Sequence, residues 1–123
     1  MSGPLLEVGA ARYVDGNAPF LSVRRLSERL GVTQAELARL IGVSRNTLGA
    51  KSAARKLDQA MSPVVRILAM AAEMAGGDDR AAVWFKHQPI PGWAGKTAFD
   101  LVGEDKADKV LAYLESVRAG VYA

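Results

Sequence analysis

The most informative stretch of the chain is Gln34-Ala-Glu-Leu-Ala-Arg-Leu-Ile-Gly-Val-Ser-Arg-Asn-Thr-Leu48. Two short runs of residues with apolar positions at helical spacing are separated by Gly42, and Ser44 is a favourable N-cap for the second run. Two helices that cross steeply need a small residue where they approach each other, and Ala38 supplies it. Gly42 suits the turn, since a positive φ carries little penalty for glycine. The stretch therefore predicts two short helices joined by a tight turn.

The residues on either side extend this pattern. Leucines at helical spacing predict a preceding helix over 20–30, and Gly31 ends it. Thr33 followed by Glu36 is a capping-box pattern, which opens the next helix. The helix that Ser44 opens is expected to continue to about Ala54. Four apolar residues are expected to lock the pair of helices together: Leu37, Ile41, Val43 and Leu48.

Residues 21–55 resemble the helix-turn-helix of the Xre/Cro family of phage-type repressors. In that family the second helix lies in the DNA major groove, where Arg45 suits guanine and Asn46 suits adenine. The resemblance implies a set of DNA-binding residues: Gln34, Ser44, Arg45, Asn46, Thr47, Lys51 and Arg55. Lys51 departs from the family, because simple repressors usually carry an apolar residue there. Small helix-turn-helix units also serve as scaffolds that never touch DNA, and this alternative stays open.

Charge is distributed unevenly along the 123 residues. Residues 1–66 contain ten Lys/Arg and five Asp/Glu, whereas residues 67–123 contain six Lys/Arg and eight Asp/Glu. A basic half suits an anionic partner such as DNA, since neutralised phosphates release counterions. Ordinary surface charge is the alternative interpretation.

The second half also has a helical pattern. Ser62-Pro63 suits an N-cap followed by proline at the first helical position, and Gly120 suits the end of the last helix. Helices are expected over about 63–74, 78–86, 98–102 and 105–119, with Thr97 as a cap and Trp84 in the core. We therefore predict an all-α fold in which a helix-turn-helix bundle precedes a small helical domain. The predicted divisions are an irregular, loosely packed arm over 1–20, a helix-turn-helix domain over 21–61 and a C-terminal domain over 62–123.

Residues 62–123 resemble the toxin-binding domain of the Xre/MbcA/ParS antitoxin family. The resemblance rests on a Trp before a Pro-containing loop, then Gly95-Lys-Thr-Ala-Phe-Asp-Leu-Val102, a helix containing Lys109-Val-Leu-Ala-Tyr-Leu-Glu115, and Gly120-Val-Tyr122. Ala98 is a mild departure, since members commonly have proline there. Packing alone is the alternative explanation for these apolar residues.

The family resemblance implies a partner. Its antitoxins accompany a RES-domain toxin, an enzyme that consumes NAD, and their C-terminal end blocks the toxin's active site. The implied toxin-binding residues are Trp93, Arg118, Gly120, Val121, Tyr122 and Ala123. A type II antitoxin of this kind also represses its own operon as a homodimer or a higher assembly with the toxin. A free-standing repressor with a C-terminal half that only dimerises is the alternative, and the final residues would then be a frayed chain end.

Nothing in the sequence indicates an enzyme or a cofactor. The chain has no cysteine for a thiolate metal site, and His87 is its single histidine. Gly95-Lys96-Thr97 is similar to the end of a phosphate-binding loop, but Ile90 stands where that motif needs its first glycine. The carboxylates of 78–79 and 104–105 are explained by the starts of helices. No signal peptide or membrane span is expected, so a cytoplasmic location fits.

Overall fold

A computed structural model describes residues 9–120 and confirms the all-α prediction. Seven α-helices follow in order: α1 Val23–Leu30, α2 Gln34–Ile41, α3 Arg45–Leu48, α4 Ala54–Ala75, α5 Asp78–His87, α6 Ala98–Gly103 and α7 Ala107–Arg118. Two 3-10 turns lie at Ala11–Tyr13 and Lys51–Ala53. In this part of the chain β-pairing is limited to isolated bridges between Val14 and Leu21 and between Pro89 and Thr97.

The first helix starts later than its leucine spacing predicts. Ser22 is the N-cap and accepts a hydrogen bond from the Arg25 backbone N–H. Leu21 is held outside the helix, because its backbone N–H donates to the Asp58 carboxylate in α4 at 2.8 Å. At the other end, Gly31 adopts φ 65° and closes the helix as expected.

Helix α4 runs without a break through the predicted start at Ser62-Pro63, so that prediction was wrong. Proline has no backbone N–H to donate to the Gln59 carbonyl, which weakens a helix locally. Burial offsets this loss, because Met61, Val64 and Ile67 are each fully buried along one face. The predicted division at 61/62 falls inside α4, and the domain boundaries stay a prediction.

The two halves of the described chain share one hydrophobic core. Helix α4 packs against both α5 and α7, while α1 contacts α5 and α2 contacts α6. Phe85 in α5 is fully buried and meets Phe99 in α6 edge to face, with ring centroids 6.1 Å apart. The helix-turn-helix is therefore supported by the C-terminal half.

Part of the N-terminal arm also belongs to this core. Tyr13 is only 2% exposed, and a Cβ added at Gly9 would lie 2.7 Å from the Ala69 side chain in α4. The expectation of loose packing is therefore wrong at Gly9 and Tyr13. The sequence around Tyr13 has no periodic pattern from which its burial could be predicted.

The C-terminal helices begin and end close to their predicted positions. Thr97 and Asp100 form a capping box at the start of α6, which confirms Thr97 as the cap. Helix α7 begins at Ala107 because Asp105 adopts φ 63°, and Gly120 turns the backbone after the helix with φ 84°. Across the described ranges, no helix has the length and apolar character to cross a membrane.

Candidate functional site

The turn between α2 and α3 has the geometry that its sequence predicts. Gly42 adopts φ 77°, and its N–H donates to the Ala38 and Arg39 carbonyls. The Val43 N–H also donates to the Ala38 carbonyl, at 2.9 Å. Ala38 is 1% exposed, so its methyl group leaves room for the close approach of the two helices. These contacts fix the direction in which α3 leaves α2.

The four DNA-binding residues predicted between Ser44 and Thr47 divide into two pairs. The Ser44 hydroxyl accepts from the Thr47 backbone N–H at 3.2 Å and lies 2.8 Å from the Thr47 hydroxyl. These two side chains therefore shape the start of the helix. Arg45 and Asn46 follow the cap directly and are exposed to solvent. They are the side chains that the turn presents outward.

Helix α3 is much shorter than expected. It ends at Leu48, and Ala50 is extended with φ −88° and ψ 117°, so the predicted continuation to Ala54 was wrong. Gly49 explains the break, because glycine is a poor helix former. The outward surface is one helical turn, about 6 Å long, followed by the 3-10 turn that contains Lys51.

The flanking residues surround this turn. Gln34 is the first residue of α2 and is exposed, as is Lys51. The Arg55 guanidinium at the start of α4 lies 5.7 Å from the centre of the Phe20 ring. Such a contact restrains a cation through the ring's negative face. Sequence reasoning missed Phe20, since an isolated aromatic residue in an irregular arm gives no signal.

The predicted toxin-binding residues within the described part of the chain lie apart from one another. Trp93 is half-buried in the loop before α6, with the Lys106 ammonium 5.6 Å from its ring centre. Arg118 lies at the other end of α7, where its guanidinium is 3.9 Å from Glu73, and Gly120 follows. The helix that separates Lys106 from Arg118 is about 18 Å long. Val121, Tyr122 and Ala123 lie outside the described residues.

Ion pairs join the arm and α1 to the first turn of α5. Arg12 lies 3.0 Å from Asp78, and Arg29 lies 2.7 Å from Asp79. Burial raises the pKa of Tyr13 above its usual 10.0, while the nearby Arg29 partly offsets this rise. These contacts make the arm a bridge between the two halves.

The polar residues that the sequence offered as candidates for chemistry lie at the ends of helices. Glu104, expected at a helix start, instead caps the end of α6, and hydrogen bonds from Lys96 and Lys106 lower its pKa. His87 is exposed at the end of α5. Among residues 9–120, no three His, Asp or Glu side chains gather into a potential metal site.

Two family models match the chain, one in each half. Residues 10–62 match the antitoxin Xre-like helix-turn-helix domain, and residues 70–120 match the antitoxin Xre/MbcA/ParS C-terminal toxin-binding domain. No curated protein and no solved structure gives a significant match. Both resemblances seen in the sequence are thus confirmed, in the expected order. The chain belongs to the Xre/MbcA/ParS-type antitoxin family.

Proposed function

We propose that this chain neutralises a NAD-consuming RES-domain toxin and represses its own operon, acting in the cytoplasm as a homodimer or a larger complex with the toxin. The match of residues 70–120 to a toxin-binding domain carries the first part. In the second part, the helix-turn-helix binds operator DNA. The protein itself performs no chemistry in this account.

Neutralisation is steric. Helix α7 ends at Arg118, and Gly120 turns the backbone just before Val121, Tyr122 and Ala123. These three residues enter the toxin's cofactor cleft. A tyrosine side chain suits this role, since it fills an apolar pocket and also makes a hydrogen bond. The cleft is then closed to NAD.

Repression uses the surface around α3. Arg45 and Asn46 are exposed directly after the Ser44 cap, so they are available to base edges in the major groove. Arg55 and Lys51 contact the phosphate backbone, and Gln34 contacts a phosphate or a base at the start of α2. The excess of basic residues over 1–66 favours approach to DNA.

Where an adjacent gene encodes a RES-domain protein, co-expression of the two proteins tests neutralisation. We expect the two proteins to co-purify and the cellular NAD concentration to recover. Absence of a complex together with continued NAD loss would contradict the antitoxin mechanism and favour a free-standing repressor.

A separate titration tests repression. The chain is added to labelled DNA from upstream of its own gene at several salt concentrations. We expect the logarithm of the affinity to fall linearly with the logarithm of the salt concentration. If no salt-dependent affinity is found, the helix-turn-helix is a scaffold.

A further inference from the structure

The C-terminal half exposes two large apolar side chains. Met74, near the end of α4, is 38% exposed, and Val83 in α5 is 61% exposed. Among residues 9–120 these are the two large apolar side chains that stand more than a third exposed. Trp84 lies between them, because it lines one groove with Val83 and a second groove with Met74.

The second groove lies where the ends of α4 and α7 meet α5. Tyr113 and Val117 of α7 line it opposite Met74, beside Trp84. We name the surface formed by Met74, Val83, Trp84, Tyr113 and Val117 the Trp84 surface. Clustered apolar exposure of this kind is characteristic of binding sites, whereas scattered apolar residues are ordinary.

We infer that the Trp84 surface docks onto the toxin at the rim of the cleft that receives residues 121–123. This inference rests on the proposed function. Every residue of the surface lies within the span that matches a toxin-binding domain. The surface thus supplies the contact area that a three-residue segment lacks, since specific complexes bury about 800 Å² on each partner.

The reach of the chain connects this surface to the cleft. The Gly120 N–H donates to the Val117 carbonyl at 3.0 Å, so Gly120 directly adjoins the groove. Tyr122 is two residues further on, and two residues span at most about 7 Å. A protein whose pocket holds Tyr122 must therefore approach the end of α7 closely.

The residues of the Trp84 surface indicate the chemical character of the toxin surface that would bind it. Trp84 and Tyr113 are aromatic residues of the type that anchors protein interfaces. The border carries both signs of charge: Arg80 and Asp79 lie beside Val83, and Arg118, beyond Val117, is 3.9 Å from Glu73. The matching toxin surface is apolar at its centre and polar at its edge.

The test compares two variants of the full chain. The double variant Met74→Glu/Val83→Glu places charge on the surface at two exposed positions. The control Gln59→Glu adds one negative charge at an exposed position of α4, about 22 Å along the helix from Met74. Circular dichroism checks folding, and calorimetry measures affinity for the RES-domain protein of the adjacent gene.

We expect the double variant to raise Kd about 30-fold or more, the loss typical of interface anchors. The control stays within about twofold of wild type. A chain that lacks residues 121–123 still binds the toxin through the Trp84 surface, although more weakly.

Other results overturn the inference in distinguishable ways. If the double variant binds the toxin with wild-type affinity, the Trp84 surface is not part of the interface, and the proposed function still stands. Loss of self-association at unchanged toxin affinity, measured by sedimentation, assigns the surface to a second copy of this chain. Complete loss of binding without residues 121–123 shows that the surface contributes nothing. If the wild-type chain does not bind the toxin, the proposed function fails as well.

Discussion

The Arg29 guanidinium in α1 lies 2.7 Å from the Asp79 carboxylate in α5, which links the helix-turn-helix half to the toxin-binding half. The same guanidinium is 3.7 Å from Asp78, which also pairs with Arg12 at 3.0 Å. The two carboxylates differ in exposure, since the Asp79 side chain is 97% exposed and that of Asp78 is 21% exposed. The neighbouring carboxylates of Asp78 and Asp79 are therefore expected to contribute differently to the contact between the two halves.

Asparagine substitutions separate these contributions. Asp78→Asn lowers the free energy of unfolding by about 1–2 kcal/mol, because two arginines lose a partly buried partner. Asp79→Asn changes it by less than about 0.5 kcal/mol, as an exposed ion pair is screened by water. Urea denaturation measures both. Equal losses in the two variants would contradict the larger contribution of Asp78 to the contact between the two halves.

Alanine substitutions at two glycines test the two turns that flank α3. Gly49 has φ −91° and nothing within 4 Å of an added Cβ, so Gly49→Ala stabilises the protein by about 0.5 kcal/mol. Gly42 has φ 77°, and Gly42→Ala destabilises it by about 1 kcal/mol or more. Thermal unfolding monitors both variants. A stabilising Gly42→Ala would show that the turn does not need the left-handed conformation.

Alkaline pH is expected to destabilise the fold through Tyr13. Its folded-state pKa is raised by burial, so its contribution is complete below the unfolded value near 10.0 and is lost as pH rises beyond it. Tyr13→Phe removes this dependence. The stability advantage of wild type over Tyr13→Phe, measured in urea between pH 8 and 11, should therefore shrink above about pH 10. A constant difference would exclude this role for Tyr13.

DNA affinity is expected to depend on Arg45 more than on charge in general. Arg45→Ala weakens binding to the upstream DNA about 10- to 100-fold, because a paired base contact is lost. Lys109→Ala removes the same charge from an exposed position in α7 and is the matched control. Fluorescence anisotropy at one salt concentration compares the two. Equal weakening would attribute the affinity to overall charge rather than to α3.

The local elements of this fold follow from short sequence signals. Thr33 with Glu36, Ser44, Gly42 and Thr97 act as their patterns predict, because caps and turns depend on residues within one turn of the backbone. Pro63 shows the limit of such signals. Serine followed by proline looks the same at a helix start and inside a helix, and here burial of α4 decides between the two.

Long-range contacts could not be predicted in this way. The contact between Arg55 and Phe20 joins residues 35 positions apart along the chain. The hydrogen bond from the Leu21 N–H to Asp58 attaches the end of the arm to α4. The sequence predicts Trp84 in the core, whereas in the structure it is half-buried and lines two grooves. Such surfaces emerge only when helices distant in sequence are packed together.

The most direct test of the proposed neutralisation is the rate at which a RES-domain toxin consumes NAD during titration with this chain. The full chain is expected to stop NAD consumption near a stoichiometric ratio. A chain that lacks residues 121–123 is expected to keep its melting temperature but to leave the toxin active. Complete inhibition by the shortened chain would contradict the account, because the cleft would then be closed without Val121, Tyr122 and Ala123.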